Sequence, residues 1–371
     1  MKLSHCFFAL VFLTANSAFA QVQWADLDIP SGNERTPSVE RMMADAIPAQ
    51  RFHDPAASFE GVSAPANIEK PRILGGSDAE GQFGVMSGPA SGIQPNDYGD
   101  GNLATVFHYT DRLVNSSLGR DQNYSRTGKF YFTASDGLVY SCTASLISRS
   151  ILVTAGHCVH DGGNGEVGWI SSGFFVPFEY DGIRPYREAW AAYVVTTNNW
   201  FNVGDLAQAY DVGLVVLAKP TGAGQEYGNL LGWYGFCTSY CKQAYWYLTQ
   251  LGYPGNYYGG DRMTEGQHLE IDDPSQSLGY VHGSGMEGGS SGGPHIANHG
   301  EISDSSTMGQ WTSRNIVFAV TSWGYIDTTV KIQGASPLTG TGEDDNNFIG
   351  MYNLACTEAQ ALHGPGSCST L

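Results

Sequence analysis

The chain has 371 residues, of which only 15% are charged, well below the roughly 25% of an ordinary soluble domain. Its 36 Asp and Glu against 18 Lys and Arg give a net charge of −18, which excludes phosphate-backbone binding as the main activity. A hydrophobic fraction of 42% excludes global disorder, and 48 glycines with 20 Tyr and 17 Phe point to short strands joined by tight turns.

The chain begins like an export signal. Lys2 gives a positive start, and residues 6–13 form an apolar run too short to span a bilayer. Ala18 and Ala20 are the small residues a signal peptidase reads, so residues 1–20 are expected to be a signal peptide cut after Ala20. No later segment has eighteen consecutive apolar residues, which predicts a soluble, secreted or periplasmic protein with no membrane partner. Residues 21–72 contain no Cys and many Pro, Ala, Glu and Arg, and read as a pro-segment or spacer rather than a core, with a short helical patch over Val39–Ala46. The stretch Lys70-Pro71-Arg72 followed by Ile73-Leu74 is a candidate processing site, which would leave residues 73–371 as the working domain.

From about Gly128, β-branched and aromatic runs take over. Strands are expected at Phe130–Thr133, Leu138–Thr143, Ser145–Ser148, Ile151–Thr154, Tyr245–Leu251 and Ile316–Thr321, with a buried one at Val212–Leu217. A helix is expected over Met351–Leu362. This pattern fits an all-β chain of two sandwiches or barrels with a C-terminal helix. Once Cys6 leaves with the signal, six cysteines remain, implying up to three disulfides in an oxidising compartment. Six cysteines allow 15 pairings. Their clustering favours Cys142–Cys158, Cys237–Cys241 and Cys356–Cys368.

Three distant segments each place one reactive group beside a strand. In Thr154-Ala155-Gly156-His157-Cys158, the imidazole of His157 is a natural proton shuttle near neutral pH. In Tyr210-Asp211-Val212-Gly213, a carboxylate at the mouth of a buried strand needs a partner, and His157 would serve. In Gly288-Gly289-Ser290-Ser291-Gly292-Gly293, the glycines allow a sharp turn and close approach of a substrate. Ser291 is there a candidate nucleophile, and the amides of Gly289 and Ser291 are candidate oxyanion donors. Taken alone, each segment is more often structural: a capping Asp, a flexible Gly/Ser loop. Together they supply a nucleophile, a base and an orienter.

These three blocks, in the order His, Asp, Ser, resemble the signature blocks of chymotrypsin-like serine proteases. The resemblance implies two six-stranded antiparallel β-barrels, peptide or protein substrates, no cofactor and no metal, with the C-terminal helix following. Ser322-Trp323-Gly324 resembles the strand that aligns substrate in that family, and with Gly285, Met286 and Thr321 it is expected to line the specificity pocket. Gly232-Trp233-Tyr234-Gly235 and Gly252-Tyr253-Pro254 resemble the bacterial glutamyl endopeptidase branch.

The chain departs from the family in informative places. Animal digestive members carry an Asp just before the nucleophile, where this chain has Ser290. The new N-terminus at Ile73 would therefore lack its usual charge partner. Gly285 stands where trypsin-like members hold an Asp, and Thr321 where glutamate-specific members hold a His. An uncharged pocket follows, favouring an apolar or small residue before the scissile bond, with cleavage after Glu still open because a hydroxyl-lined pocket can hydrogen-bond a carboxylate. The resemblance implies a monomeric zymogen served by an activating protease.

Weaker signals read as structure. The acidic stretches Glu343–Asn347 and Asp161–Glu166 suit solvated loops better than calcium sites. Asn115 and Asn123 fit the glycosylation acceptor pattern. His282, His295 and His299 have no paired spacing that compels a metal, and read as surface or loop residues. A catalytically silent, protease-like binding module is the alternative, although such proteins usually lose a member of the triad. An α/β-hydrolase esterase is excluded by the order of the three groups.

Overall fold

The computed structural model describes residues 22–31, 35–50, 107–206, 209–237, 247–272, 279–300, 314–338 and 348–368. The expected signal peptide, Arg72 and Ile73, Cys241 and the Glu343–Asn347 stretch lie outside the described residues. No helix among the described residues is long and apolar enough to cross a membrane.

In chain order the N-terminal part holds β1 (Gln23–Asp26), α1 (Arg35–Asp45), β2 (Ile47–Pro48), β3 (Tyr109–Leu113) and α2 (Gln122–Ser125). Next come β4 (Thr127–Thr133), β5 (Val139–Leu146), β6 (Ile151–Thr154), β7 (Ser172–Pro177), β8 (Ala189–Thr196), α3 (Asn198–Asn202) and β9 (Gly213–Leu217). The remainder is α4 (Tyr227–Leu231), β10 (Gly235–Phe236), β11 (Tyr247–Gly252), β12 (Thr264–Leu269), β13 (Ile271–Asp272), β14 (Tyr280–Gly283), β15 (Pro294–Ala297), β16 (Ile316–Gly324), β17 (Ile332–Pro337) and α5 (Phe348–His363).

Strands β7, β4, β5, β6, β9 and β8 form a closed antiparallel barrel, because β8 pairs with both β7 and β9. Residues along β6 and β9 point alternately to two different cores. Leu152, Val215 and Leu217 fill the barrel with Phe130, Phe175 and the Cys142–Cys158 bridge. Ile151, Val153, Leu214 and Val216 face outward against Leu251, Ile296, Val317 and the Met351, Ala355 and Ala359 face of α5. Burial on both sides explains why these strands read as nearly unbroken apolar runs. The second half is a curled sheet running β13-β14-β17-β16-β15-β11-β12-β3, with β10 parallel on β16. Its ladder does not close among the described residues. The architecture is thus the expected double-barrel type, with one barrel complete and the other a half-barrel. Cys142–Cys158 and Cys356–Cys368 are bonded, with Cα separations of 6.3 and 5.7 Å.

The expected spacer is in part well packed. Strand β1 pairs with β8, and β2 pairs in parallel with β5. Helix α1 begins earlier than the predicted patch and sets Val39 and Met42 against Tyr131, Phe174, Val176 and Trp190. Arg184 bonds Glu40 at 2.5 Å and Glu188 at 2.9 Å, tying the helix to the barrel. A polar average composition concealed an apolar face only one or two turns long.

Candidate active site

The site lies where the two halves meet. His157 sits in a single tight turn, Gly156–Cys158, directly after β6. The Cys142–Cys158 bridge holds that turn to β5. Any side chain at Gly156 would press on Asp211 Oδ1 and the Trp200 ring at 2.9 Å, so the turn requires glycine.

Asp211 is fully buried, and hydrogen bonds reach both of its oxygens. Oδ1 accepts from the His157 backbone N–H at 2.7 Å, and Oδ2 accepts from His157 Nδ1 at 2.8 Å and from Ser322 Oγ at 2.7 Å. An ionised Asp211 therefore places the ring proton on Nδ1 and leaves the Nε2 lone pair free to take a proton. Nε2 has no hydrogen-bond partner.

Ser291 sits in a turn clamped from both halves. Its carbonyl accepts from Thr143 N–H at 2.8 Å, and Gly292 N–H donates to Thr321 O at 2.8 Å. Gly289 and Gly292 have φ of +95° and +78°. A Cβ on Gly292 would collide with Thr154 Oγ1 and the Thr143 carbonyl, so the run is a tight structural turn rather than a flexible loop. Ser290 donates to Glu287 O at 2.7 Å and accepts from Gln333 Nε2 at 3.1 Å. Its hydroxyl is thus engaged within the turn.

No sequence motif marks what occupies this site. The carbonyl of Ala49 accepts from Gly289 N–H at 2.7 Å and from Ser291 Oγ at 3.1 Å. The Ala49 N–H donates to Ser141 O on β5 at 2.8 Å. Gln50 follows, with its Oε1 accepting from Gly288 N–H at 3.1 Å. Its side chain shares a small cavity with Met286, Glu287, Gly324, Lys331 and Gln333. Lys331 there pairs with Glu287 at 3.0 Å. On the other side of Ala49, a cleft of about 300 Å³ is walled by Phe132, Tyr140, His157 and Asn164. The diverted Ser291 hydroxyl and the unpartnered His157 Nε2 are two sides of one arrangement, with Ala49 at its centre.

The structure sorts the expected pocket residues. Met286 and Gly324 line the cavity holding Gln50. Gly285 is turned elsewhere: its N–H donates to Asp111 Oδ2 at 2.9 Å, and its open side faces Tyr257 and Asp111. Ser322 uses its hydroxyl to hold Asp211, and the indole of Trp323 is buried against Gly334. Thr321 is buried beneath the wall, bonded to Gln250 Nε2 at 2.7 Å and His295 Nε2 at 3.0 Å. Lys331, Glu287, Gln333 and Gln50 join the site, though no sequence motif marked them.

Two histidines contradict the surface-or-loop reading. His282 and His295 are completely buried within the second half. Burial lowers the pKa of His282 well below the ordinary imidazole value, with His268 as a further cause. His299 is partly buried, edge-on to Tyr124 and bonded to the Asn123 carbonyl at 2.9 Å. Cys237 is disulfide-bonded, but its expected partner Cys241 lies outside the described residues.

Comparison with known proteins places this geometry in a class. The Trypsin family model matches residues 119–229, the segment carrying His157 and Asp211. In particular, it is similar to human Serine protease 23, with 28% identity over 169 residues, 39% of this chain and 42% of that protein. It is also similar to Glutamyl endopeptidase of Bacillus licheniformis, with 25% identity over 154 residues, covering 42% and 44% of the two chains. The chain thus spans less than half the length of these relatives. The crystal structure of protease Anisep from Arthrobacter nicotinovorans shares the fold at a TM-score of 0.52 and 21% identity, covering 67% of this chain and all of the other.

Proposed function

We propose that the chain is an exported serine endopeptidase made as a zymogen, in which residues 47–50 block the catalytic groups by running through the cleft backwards. The observation that carries this reading is the Ala49 carbonyl, which takes a hydrogen bond from both the Ser291 hydroxyl and the Gly289 N–H. A scissile carbonyl needs those same two groups, one as nucleophile and one as oxyanion donor.

In the working enzyme, His157 Nε2 takes the proton of Ser291 Oγ as that oxygen attacks the substrate carbonyl. Asp211 stabilises the imidazolium. The Gly289 and Ser291 amides hold the oxyanion; one such donor lowers the barrier to attack by on the order of 3 kcal/mol. His157 then gives the proton to the leaving amine, and water repeats the cycle on the acyl-enzyme. No cofactor enters these steps.

Direction explains why Ala49 survives there. In a productive peptide, the residue filling the specificity pocket precedes the scissile bond, and the leaving half continues toward β5. Here β2 lies on β5 first, with Ile47 opposite Tyr140 and Pro48 opposite Ser141, and Gln50 reaches the pocket cavity afterwards. The peptide nitrogen that would have to leave belongs to Gln50, whose side chain enters the pocket cavity, the reverse of the order in a productive substrate. A cut between residues 51 and 72 would not by itself open the site, since α1 and β1 still hold the strap to the first barrel.

The test is digestion of a complex peptide library by the purified protein, intact and with residues 21–72 removed, using Ser291→Ala as control. Cleavage only by the trimmed parent chain is expected, and the residue before each cut defines the pocket preference. Absence of cleavage by the trimmed chain would favour the silent binding module instead.

A further inference from the structure

The core of the second half contains a group of side chains that the proposed chemistry does not use. His268 on β12, Glu270 just after it, His282 on β14 and His295 on β15 are all completely or almost completely buried. One ligating atom from each lies within 4.8 Å of all the others. Glu270 Oε1 is 3.1 Å from His268 Nε2 and 2.6 Å from His295 Nδ1, while His282 Nδ1 lies 3.9 Å from Glu270 Oε2.

Hydrogen bonding within the group leaves much unsatisfied. Both ring nitrogens of His282, Nδ1 of His268 and Oε2 of Glu270 are buried without a hydrogen-bond partner. Each such atom is costly in a low-dielectric interior, and a buried carboxylate also requires a positive partner. A single cation would pair the carboxylate and take up the Glu270 oxygen and one nitrogen of each ring. Three imidazoles and one carboxylate are a ligand set for zinc rather than calcium or magnesium, which take oxygen ligands. A tetrahedral ion with bonds of ~2.0–2.1 Å sets its ligands about 3.3 Å apart, so small side-chain rotations bring these atoms to that spacing. The outer partner of one ligand is already in place: His295 Nε2 is held by Thr321 Oγ1 at 3.0 Å, the kind of contact that fixes a ligating ring.

We propose that His268, Glu270, His282 and His295 bind one zinc ion that fastens the open half-barrel. The strands concerned are not neighbours in the sheet: β12 pairs with β11 and β3, β14 with β13 and β17, and β15 with β11 and β16. The ion joins strands that no hydrogen-bond ladder connects, and so replaces the closure that β8–β9 pairing gives the first barrel. It also lies under the nucleophile turn, since Thr321 links His295 to Gly292 and Gly293.

The experiment uses the full chain carrying Ser291→Ala to prevent self-digestion, and reads metal content and melting temperature rather than activity. About one zinc per chain is expected. A strong chelator should lower the Tm by several degrees, and added zinc, but not calcium or magnesium, should restore it. Glu270→Gln and His282→Gln should each lose the bound zinc and the zinc-dependent shift. If both variants fail to fold, the unaltered cluster decides: less than a tenth of a zinc per chain, with a Tm indifferent to chelator and to added zinc, overturns the proposal. A zinc-dependent shift that persists in both variants overturns it too, because the ion would then be held elsewhere.

Discussion

The two halves of the molecule solve the same folding problem by different means. The first closes its ladder through β8 and fills its centre with apolar side chains and one disulfide. The second leaves its sheet unclosed among the described residues and buries histidines, two glutamates and two glutamines. The first half supplies His157 and Asp211, with the imidazole held in one orientation by the carboxylate. The second supplies the Ser291 turn and the cavity around Gln50, lined by Met286, Gly324, Lys331 and Gln333. In the proposed mechanism the closed barrel orients the base, while the polar half shapes the substrate site. Ser322 joins them, reaching from β16 to Asp211 at 2.7 Å.

The largest expected effect tests the orienting role of the first half. Asp211→Asn would keep the packing but let the amide present its N–H to His157 Nδ1, forcing the wrong tautomer. A fall in kcat of about 10⁴ is expected with little change in KM; steady-state kinetics on the trimmed chain check it, and a loss below tenfold would remove Asp211 from the mechanism. The disulfides come next. Cys142–Cys158 and Cys356–Cys368 close loops of similar length, with sequence separations of 16 and 12. Each contributes about 3 kcal/mol in the chain-entropy view. Replacing either pair with serine should cost similar stability in denaturant melts. Only loss of the Cys142–Cys158 bridge should also lower kcat in the surviving folded fraction, because it alone anchors the His157 turn. Equal kinetic effects from the two would break the distinction.

Legibility followed the same division. Strands β6 and β9 and helix α5 were readable to within a few residues, because burial on both faces leaves apolar runs and α5 has a helical period. The His157–Asp211 pairing and the tight Ser291 turn were legible because such turns impose glycines at fixed positions. Strands β12 (Thr264–Leu269) and β17 (Ile332–Pro337) escaped notice, since Gln267, His268, Gln333 and several glycines mask any alternation. The Ala49 blockade escaped for another reason: a backbone carbonyl leaves no mark in a sequence. The His268, Glu270, His282 and His295 group spans 28 residues, with its histidines on three strands, and folding alone brings the four together.

The smallest effect expected is a pH dependence in the second half. Asp111 on β3 lies against Gly285, accepting from its N–H at 2.9 Å and from the Tyr257 hydroxyl at 3.2 Å. Its Oδ1 is buried without a partner. Burial raises its pKa to about 6, only partly offset by those hydrogen bonds. A carboxyl whose pKa is higher folded than unfolded takes up a proton on folding. Its stabilising contribution is therefore full below about pH 4 and lost as pH rises through about 6. Asp111→Asn retains an acceptor for Gly285 and Tyr257 but never ionises. Its stability relative to the parent chain should rise between pH 4 and pH 7.5, by up to roughly 3 kcal/mol. Denaturant melts at those two pH values measure the difference. A pH-independent gap between the two proteins would mean that water or a neighbouring cation already compensates the Asp111 charge, and the second half would be less strained by buried polarity than its unpartnered atoms indicate.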